Sequence, residues 1–142
     1  MRLGHVYGPG EDLYRKVIPE TMRRLRDGLA IQMLGTGKQK RSFIYVKDVC
    51  RAIIAALDLE YDVGPVNIAG SHQISMADLI KLIIDISGFK AKIEFIANIN
   101  GQDMVFDTTK LSKYLLSDEM PLRDGLKIEW DYMIGGSNEN PY

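Results

Sequence analysis

Apolar residues recur along this chain with two different periods, and the alternation between them lays out its elements. Residues 2–7 (Arg-Leu-Gly-His-Val-Tyr) are short and β-inclined, and Gly8-Pro9-Gly10 then forces a turn. From Asp12 the spacing becomes helical: Leu13, Val17, Met22, Leu25 and Leu29 recur with Arg15, Lys16, Arg23, Arg24 and Arg26 between them. Pro19 inside this run should kink it or split it in two. Gly28 stands where a helix would end in a left-handed residue. Ile31 to Leu34 reads as a strand, followed by the turn Gly35-Thr36-Gly37. Ser42 to Val46 is β-branched and aromatic, hence a second strand. Asp48 then opens a helix to Leu59 with Val49, Ile53, Ala56 and Leu57 on one face, and its charge suits the positive end of the helix dipole. Gly64-Pro65 leads into a short strand, Val66 to Ala69.

Ser75, with Asp78 three residues on, has the form of a capping box. The helix it opens runs to Ser87 and is apolar nearly all round, so it needs cover on more than one side. Gly88 ends it, and Ile93 to Ile96 reads as a strand. Asp107 or Thr108 caps a short helix through Leu115, and a last helix runs from Leu122 to Met133. Residues 135–142 are polar and read as a disordered tail. No repeat or linker divides the chain. Strands alternating with helices argue an α/β fold with mostly parallel pairing.

Composition narrows the function classes. A chain of 142 residues suits one domain, and 46% apolar with 26% charged residues is ordinary for a globular one. The net charge of −1 carries no basic excess of the kind that marks a nucleic-acid binder. One cysteine, Cys50, cannot form an internal disulfide, which points to a reducing compartment; its place on an apolar helix face suggests a core position. His5, His72 and Cys50 do not make a zinc site, and His72 reads as an exposed loop residue. No apolar run approaches ~18 residues, and Met1-Arg2-Leu3-Gly4 does not open a signal peptide, so the cytoplasm is the expected location and no membrane partner is expected.

The densest chemistry lies between Gly35 and Asp48, where a glycine turn meets Lys38, Lys40 and Arg41. Gly35-Thr36-Gly37-Lys38 fails as a P-loop: Gln32 stands where the first glycine belongs, and Gln39 where Ser or Thr must follow the lysine. Two readings stay open on residue chemistry alone. The stretch is a hairpin with solvated charges, or it is an anion site in which Arg41, held by a strand, offers a planar donor fork to a diphosphate.

Three segments here resemble, in order and spacing, the NAD-dependent epimerase/dehydratase family, the extended short-chain dehydrogenases. Arg41-Ser42-Phe43-Ile44-Tyr45-Val46-Lys47-Asp48-Val49 is similar to its R-D/S-F-I-x-V-x-D-V segment. Arg2 to Gly10 is similar to R-x-x-N-V-Y-G-P, and Val66-Asn67-Ile68-Ala69-Gly70 to Y-N-I-G. Asp107-Thr108-Thr109-Lys110 and Leu122-Arg123-Asp124-Gly125-Leu126 add weaker echoes.

The resemblance implies a partial Rossmann-like arrangement. Residues 1–134 would form a substrate-binding domain, and the NAD-binding domain would lie outside this chain. It implies that Arg41 grips a sugar-nucleotide diphosphate, that Gln32 and Leu34 flank the base, and that Phe43 lies near the nucleotide. His5 replaces a substrate-contacting asparagine, and no basic residue stands in Asp103-Met104-Val105-Phe106, where a second phosphate-binding arginine is usual. The glycine fingerprint for NAD or NADP is missing, and none of Tyr7, Tyr14, Tyr45, Tyr61, Tyr114 and Tyr132 has a lysine four residues on. The expectation is therefore the substrate-binding portion of a nucleotide-sugar epimerase or dehydratase, inactive alone and binding no cofactor by itself. The alternatives are a non-catalytic nucleotide-diphosphate module and an interaction or oligomerisation piece, to which the helix 75–87 and the first strand would contribute uncovered surfaces.

Overall fold

The computed structural model describes residues 1–97 and 101–135. The first strand is one run of chain that changes partner midway. β1 (Arg2–Leu3) pairs in parallel with β5 (Asn67–Ile68). After Gly4 the chain continues as β2 (His5–Tyr7), which pairs in parallel with β4 (Lys40–Tyr45). β4 also pairs, antiparallel, with β6 (Gln73–Ser75). A separate parallel pair joins β3 (Ile31–Leu34) to β7 (Ile93–Ile96). The fold is α/β with short, mostly parallel strands, as expected. The β6 strand is an addition, since Gln73-Ile74-Ser75 is too short and polar to announce itself.

The first helical run is split. A 3-10 turn covers Glu11–Leu13, and α1 begins only at Val17 and ends at Arg26. Pro19 therefore sits in the first turn of α1, where its missing N–H costs nothing. Gly28, at φ 67°, ends the helix as expected.

α2 (Val46–Leu57) follows β4 without a loop, so Val46 is helical rather than the end of a strand. Asp48 is buried near its start, where its carboxylate accepts a hydrogen bond from Met120 N–H at 2.7 Å and pairs with Arg51 at 2.8 Å. The buried face is Val49 and Ala52; Ile53 and Leu57, expected inside, are exposed. Cys50 is exposed too, because it lies on the opposite side of α2 from Ala52.

α3 (Met76–Ser87) packs between α1 and α5 (Leu122–Gly135). That gives it the two-sided cover its composition demands, so it does not present an uncovered face. Leu79, Ile80 and Ile83 join Met22, Leu25, Leu126 and Trp130 in the larger core. A smaller core forms where α2 and α4 (Thr109–Tyr114) meet Ile44 and Ile68. Asp107 Oδ1 accepts from Thr109 N–H at 2.9 Å, making Asp107 the side chain that organises the start of α4. The expected disordered tail lies outside the described residues except for Gly135, which closes α5.

Gly70 and Gly125 are tight-packing positions. A Cβ at Gly70 would strike the Phe43 carbonyl, and one at Gly125 would strike the Tyr7 hydroxyl. These contacts set how closely the 70–73 segment lies on β4 and how closely α5 lies on β2.

Candidate functional site

A cavity of about 690 Å³ opens between β2, β3, β4 and the start of α1, and His5, Gln32, Leu34, Arg41 and Phe43 all line it. Strand alternation explains much of this. Arg41 and Phe43 are two residues apart on β4 and share a face, while Ser42 and Ile44 between and beyond them are buried behind it. His5 is the direct partner of Phe43 across the parallel ladder, and their rings lie 5.6 Å apart at 34°. On β3, Ile31 and Met33 turn inward, which leaves Gln32 and Leu34 on the open side.

The Arg41 guanidinium is held by backbone. Its Nη1 donates to the Lys40 carbonyl at 2.9 Å and to the Gln102 carbonyl. The 102–104 segment runs beside the start of β4: Lys40 N–H donates to Asp103 Oδ1 at 2.7 Å, and Met104 N–H donates to Lys40 O at 3.0 Å. Asp103 thus serves as an acceptor for the strand. Arg41 has no carboxylate partner among the described residues, so its charge is free for an anion from outside. Gln32 is oriented by Arg24, whose Nη2 donates to Gln32 Oε1 at 3.0 Å.

Burial lowers the His5 pKa from its ordinary value, and the neighbouring Arg41 and Lys16 charges lower it further. The imidazole is therefore neutral at pH 7, and its buried Nε2 lacks a hydrogen-bond partner among the described residues. A neutral ring nitrogen is able to donate to, or accept from, a ligand polar group.

Sequence reasoning placed Lys16 among helix fillers, but it precedes α1 and lines the cavity with Arg15 and Arg24. The signal was Pro19, because a proline in a first turn moves the helix start to just before it. Lys16 Nζ bonds Glu11 Oε2 at 2.9 Å and the Val6 carbonyl at 3.3 Å. Glu129 of α5, which no local pattern singles out, neighbours Glu11. Burial raises the Glu129 pKa to about 9, and the adjacent Glu11 carboxylate adds to the effect.

The glycine turns do not form a dinucleotide cradle. A Cβ at Gly8 would meet the Val46 and Tyr45 side chains, and the Gly8–Gly10 turn leads into a 3-10 turn of only Glu11–Leu13. Gly37 is packed against Met33 and Ala77 on the way to β4. A pyrophosphate needs open backbone N–H groups at the start of a longer helix. These residues do not fit NAD or NADP. Among the described residues no group of His, Cys, Asp and Glu is arranged to hold a metal ion, and no helix is long and apolar enough to cross a membrane.

Comparison with known proteins bears on the family and the fold. Residues 1–69 match the model of the NAD dependent epimerase/dehydratase family. A dTDP-4-dehydro-6-deoxy-D-allose reductase of Streptomyces bikiniensis is 32% identical over 133 residues, which is 89% of this chain and 40% of that protein. The UDP-glucuronic acid 4-epimerase of Bacillus cereus, solved with UDP-4-deoxy-4-fluoro-glucuronic acid and NAD, superposes with TM-score 0.83 at 29% identity; the match covers 94% of this chain and 44% of that one. A UDP-N-acetylglucosamine 4-epimerase of Methanobrevibacter ruminantium, solved with UDP-N-acetylmuramic acid, gives TM-score 0.84 at 26% identity, covering 94% of this chain and 45% of that one. The chain spans less than half the length of these relatives. With the strand motifs, the Rossmann-type architecture and the family match in agreement, this chain belongs to the NAD-dependent epimerase/dehydratase family.

Proposed function

We propose that this chain is the substrate-binding, C-terminal side of an NAD(P)-dependent nucleotide-sugar epimerase, dehydratase or reductase of carbohydrate metabolism, acting in the cytoplasm. Its cavity takes the nucleotide diphosphate. Arg41 grips the diphosphate, His5 and Phe43 border it, and Gln32 and Leu34 flank the base. The observation that carries this reading is the convergence of all five residues on one cavity, with Arg41 free of any carboxylate among the described residues. The solved relatives with UDP-sugars in their complexes support the choice of ligand class.

In the complete enzyme NAD or NADP would accept and return a hydride. In this reading the cofactor is held by residues outside this chain. The 142 residues therefore bind nucleotide-sugar without redox turnover; NAD(H)-dependent turnover by the purified chain would overturn that part. The test of the site is calorimetry with UDP-, GDP- and dTDP-sugars on the chain and on Arg41→Ala. Loss of one charge-assisted contact should weaken binding roughly 10–100-fold. An unchanged affinity would remove Arg41 from the site.

A second reading, an interaction piece, draws on the apolar surface beside β1–β5: Leu3, Ile54 and Leu57 are exposed. It predicts self-association or capture of a cofactor-binding half in light scattering, and a clean monomer under all conditions would count against it.

A further inference from the structure

We propose that Glu129, which lies outside the cavity, is a positioning residue: it shares a proton with Glu11 and so fixes the Lys16 ammonium at the cavity wall. This rests on the reading of the cavity as a diphosphate site only in what Lys16 finally meets.

The geometry is a short relay of side chains from three segments. Glu129 on α5 is 2% exposed and Glu11 in the 3-10 turn is 8% exposed. Both Glu129 carboxyl oxygens and Glu11 Oε1 are buried without a hydrogen-bond partner among the described residues. The second Glu11 oxygen is committed to Lys16 at 2.9 Å. Two adjacent carboxylates cannot both hold a negative charge away from water, and one shared proton relieves both the repulsion and the missing donor. The remaining charge is matched by Lys16 alone. Lys16 Nζ is further fixed by the Val6 carbonyl at 3.3 Å and lies 5.4 Å from the centre of the Tyr14 ring. Lys16, tied to the acid pair through Glu11, is itself a lining residue of the cavity that also holds His5 and Arg41.

The other groups facing Glu129 leave it no alternative charge partner. Tyr7 of β2 and Tyr45 of β4 have phenols whose pKa values are raised by burial and then by Glu129 and Asp48, so neither supplies a cation nor ionises first. Ionisation of Glu129 would put a second negative charge beside Glu11. Lys16 would then be drawn toward the acid pair and screened from a ligand anion.

The first measurement needs no ligand. The full chain is labelled with carboxyl-13C glutamate and 15N lysine, and titrated from pH 4 to 10. The pair should lose its protons in two separated steps, the later one above pH 8, with the Lys16 ammonium resonance changing at that later step. Glu129→Gln should leave a single Glu11 step and remove the Lys16 change that accompanies the later step. Ionisation of both carboxyls below pH 6, or a Lys16 signal indifferent to the later step, overturns the proposal. The wild-type titration decides this even if the variant folds poorly.

UDP-glucose is then titrated calorimetrically at pH 7 and pH 9. Wild-type affinity should fall several-fold at pH 9 relative to Glu129→Gln, and Lys16→Met should weaken binding at both pH values. A fall of equal size in wild type and Glu129→Gln overturns the positioning role. Absence of UDP-glucose binding throughout refutes the nucleotide-sugar reading of the cavity, and the ligand-free titration still decides the proton sharing.

Discussion

Two parallel strand pairs grow from the same short run of chain, and they finish differently. β2–β4 is closed: β6 adds a third strand, α5 packs against β4, and Tyr7 and Tyr45 are buried in the larger core. β1–β5 is open: it has two strands, Leu3 is 58% exposed, and the adjoining α2 leaves Ile54 63% and Leu57 81% exposed. Parallel pairs are ordinarily covered on both faces within larger sheets. The contrast separates a cavity wall covered from behind within this chain from a strand pair left open among the described residues.

The sharpest way to break this contrast is to damage the closed side. Trp130→Ala, at a residue 3% exposed, should cost about 3–5 kcal/mol in urea unfolding and abolish binding with it. If the loss were under about 1 kcal/mol, α5 would not be part of a self-sufficient core. Gly70→Ala is next: its methyl group meets the Phe43 carbonyl, so a cost of about 1–3 kcal/mol is expected, together with weaker nucleotide binding as Phe43 shifts.

Solution pH tests the same side more gently. Folded Glu129 keeps its proton up to about pH 9, whereas the unfolded side chain releases it near its ordinary 4.5. The folded state therefore binds more protons between these values, and stability present at low pH is lost as pH rises through that window. The urea midpoint should fall with pH in wild type and fall less in Glu129→Gln.

The smallest effect belongs to the open side. Leu57→Lys should change stability by no more than about 0.5 kcal/mol, while reducing any self-association seen by light scattering. A large destabilisation would show that the exposed face is covered within the monomer.

Most elements were legible because their periods are strong. The strand at 31–34, the box at Ser75 and Asp78, and the glycine stops at Gly28 and Gly88 all follow local rules. Ser75 Oγ does accept from Asp78 N–H at 3.1 Å. What local rules could not supply was which face of α2 finds cover. Val49 and Ala52 face the smaller core, and Cys50, Ile53 and Leu57 do not, because nothing in this chain lies against their side among the described residues. The site shows the same division. Arg41, Phe43 and His5 follow from motif and alternation, and all line the cavity. Glu11 and Glu129 are far apart in sequence, and only folding makes them neighbours.

Gly4 joins the two pairs, and a Cβ there would crowd Ala69, the residue that follows β5. One backbone thus carries the register of both. If β1 slid by a single residue along β5, every side chain after it would change face. His5 would no longer stand opposite Phe43, and Val6 would take that place, with no change in the sequence of the wall. The chemical identity of the wall is therefore written in the alignment of Arg2 with Asn67 and Leu3 with Ile68, before the chain reaches His5.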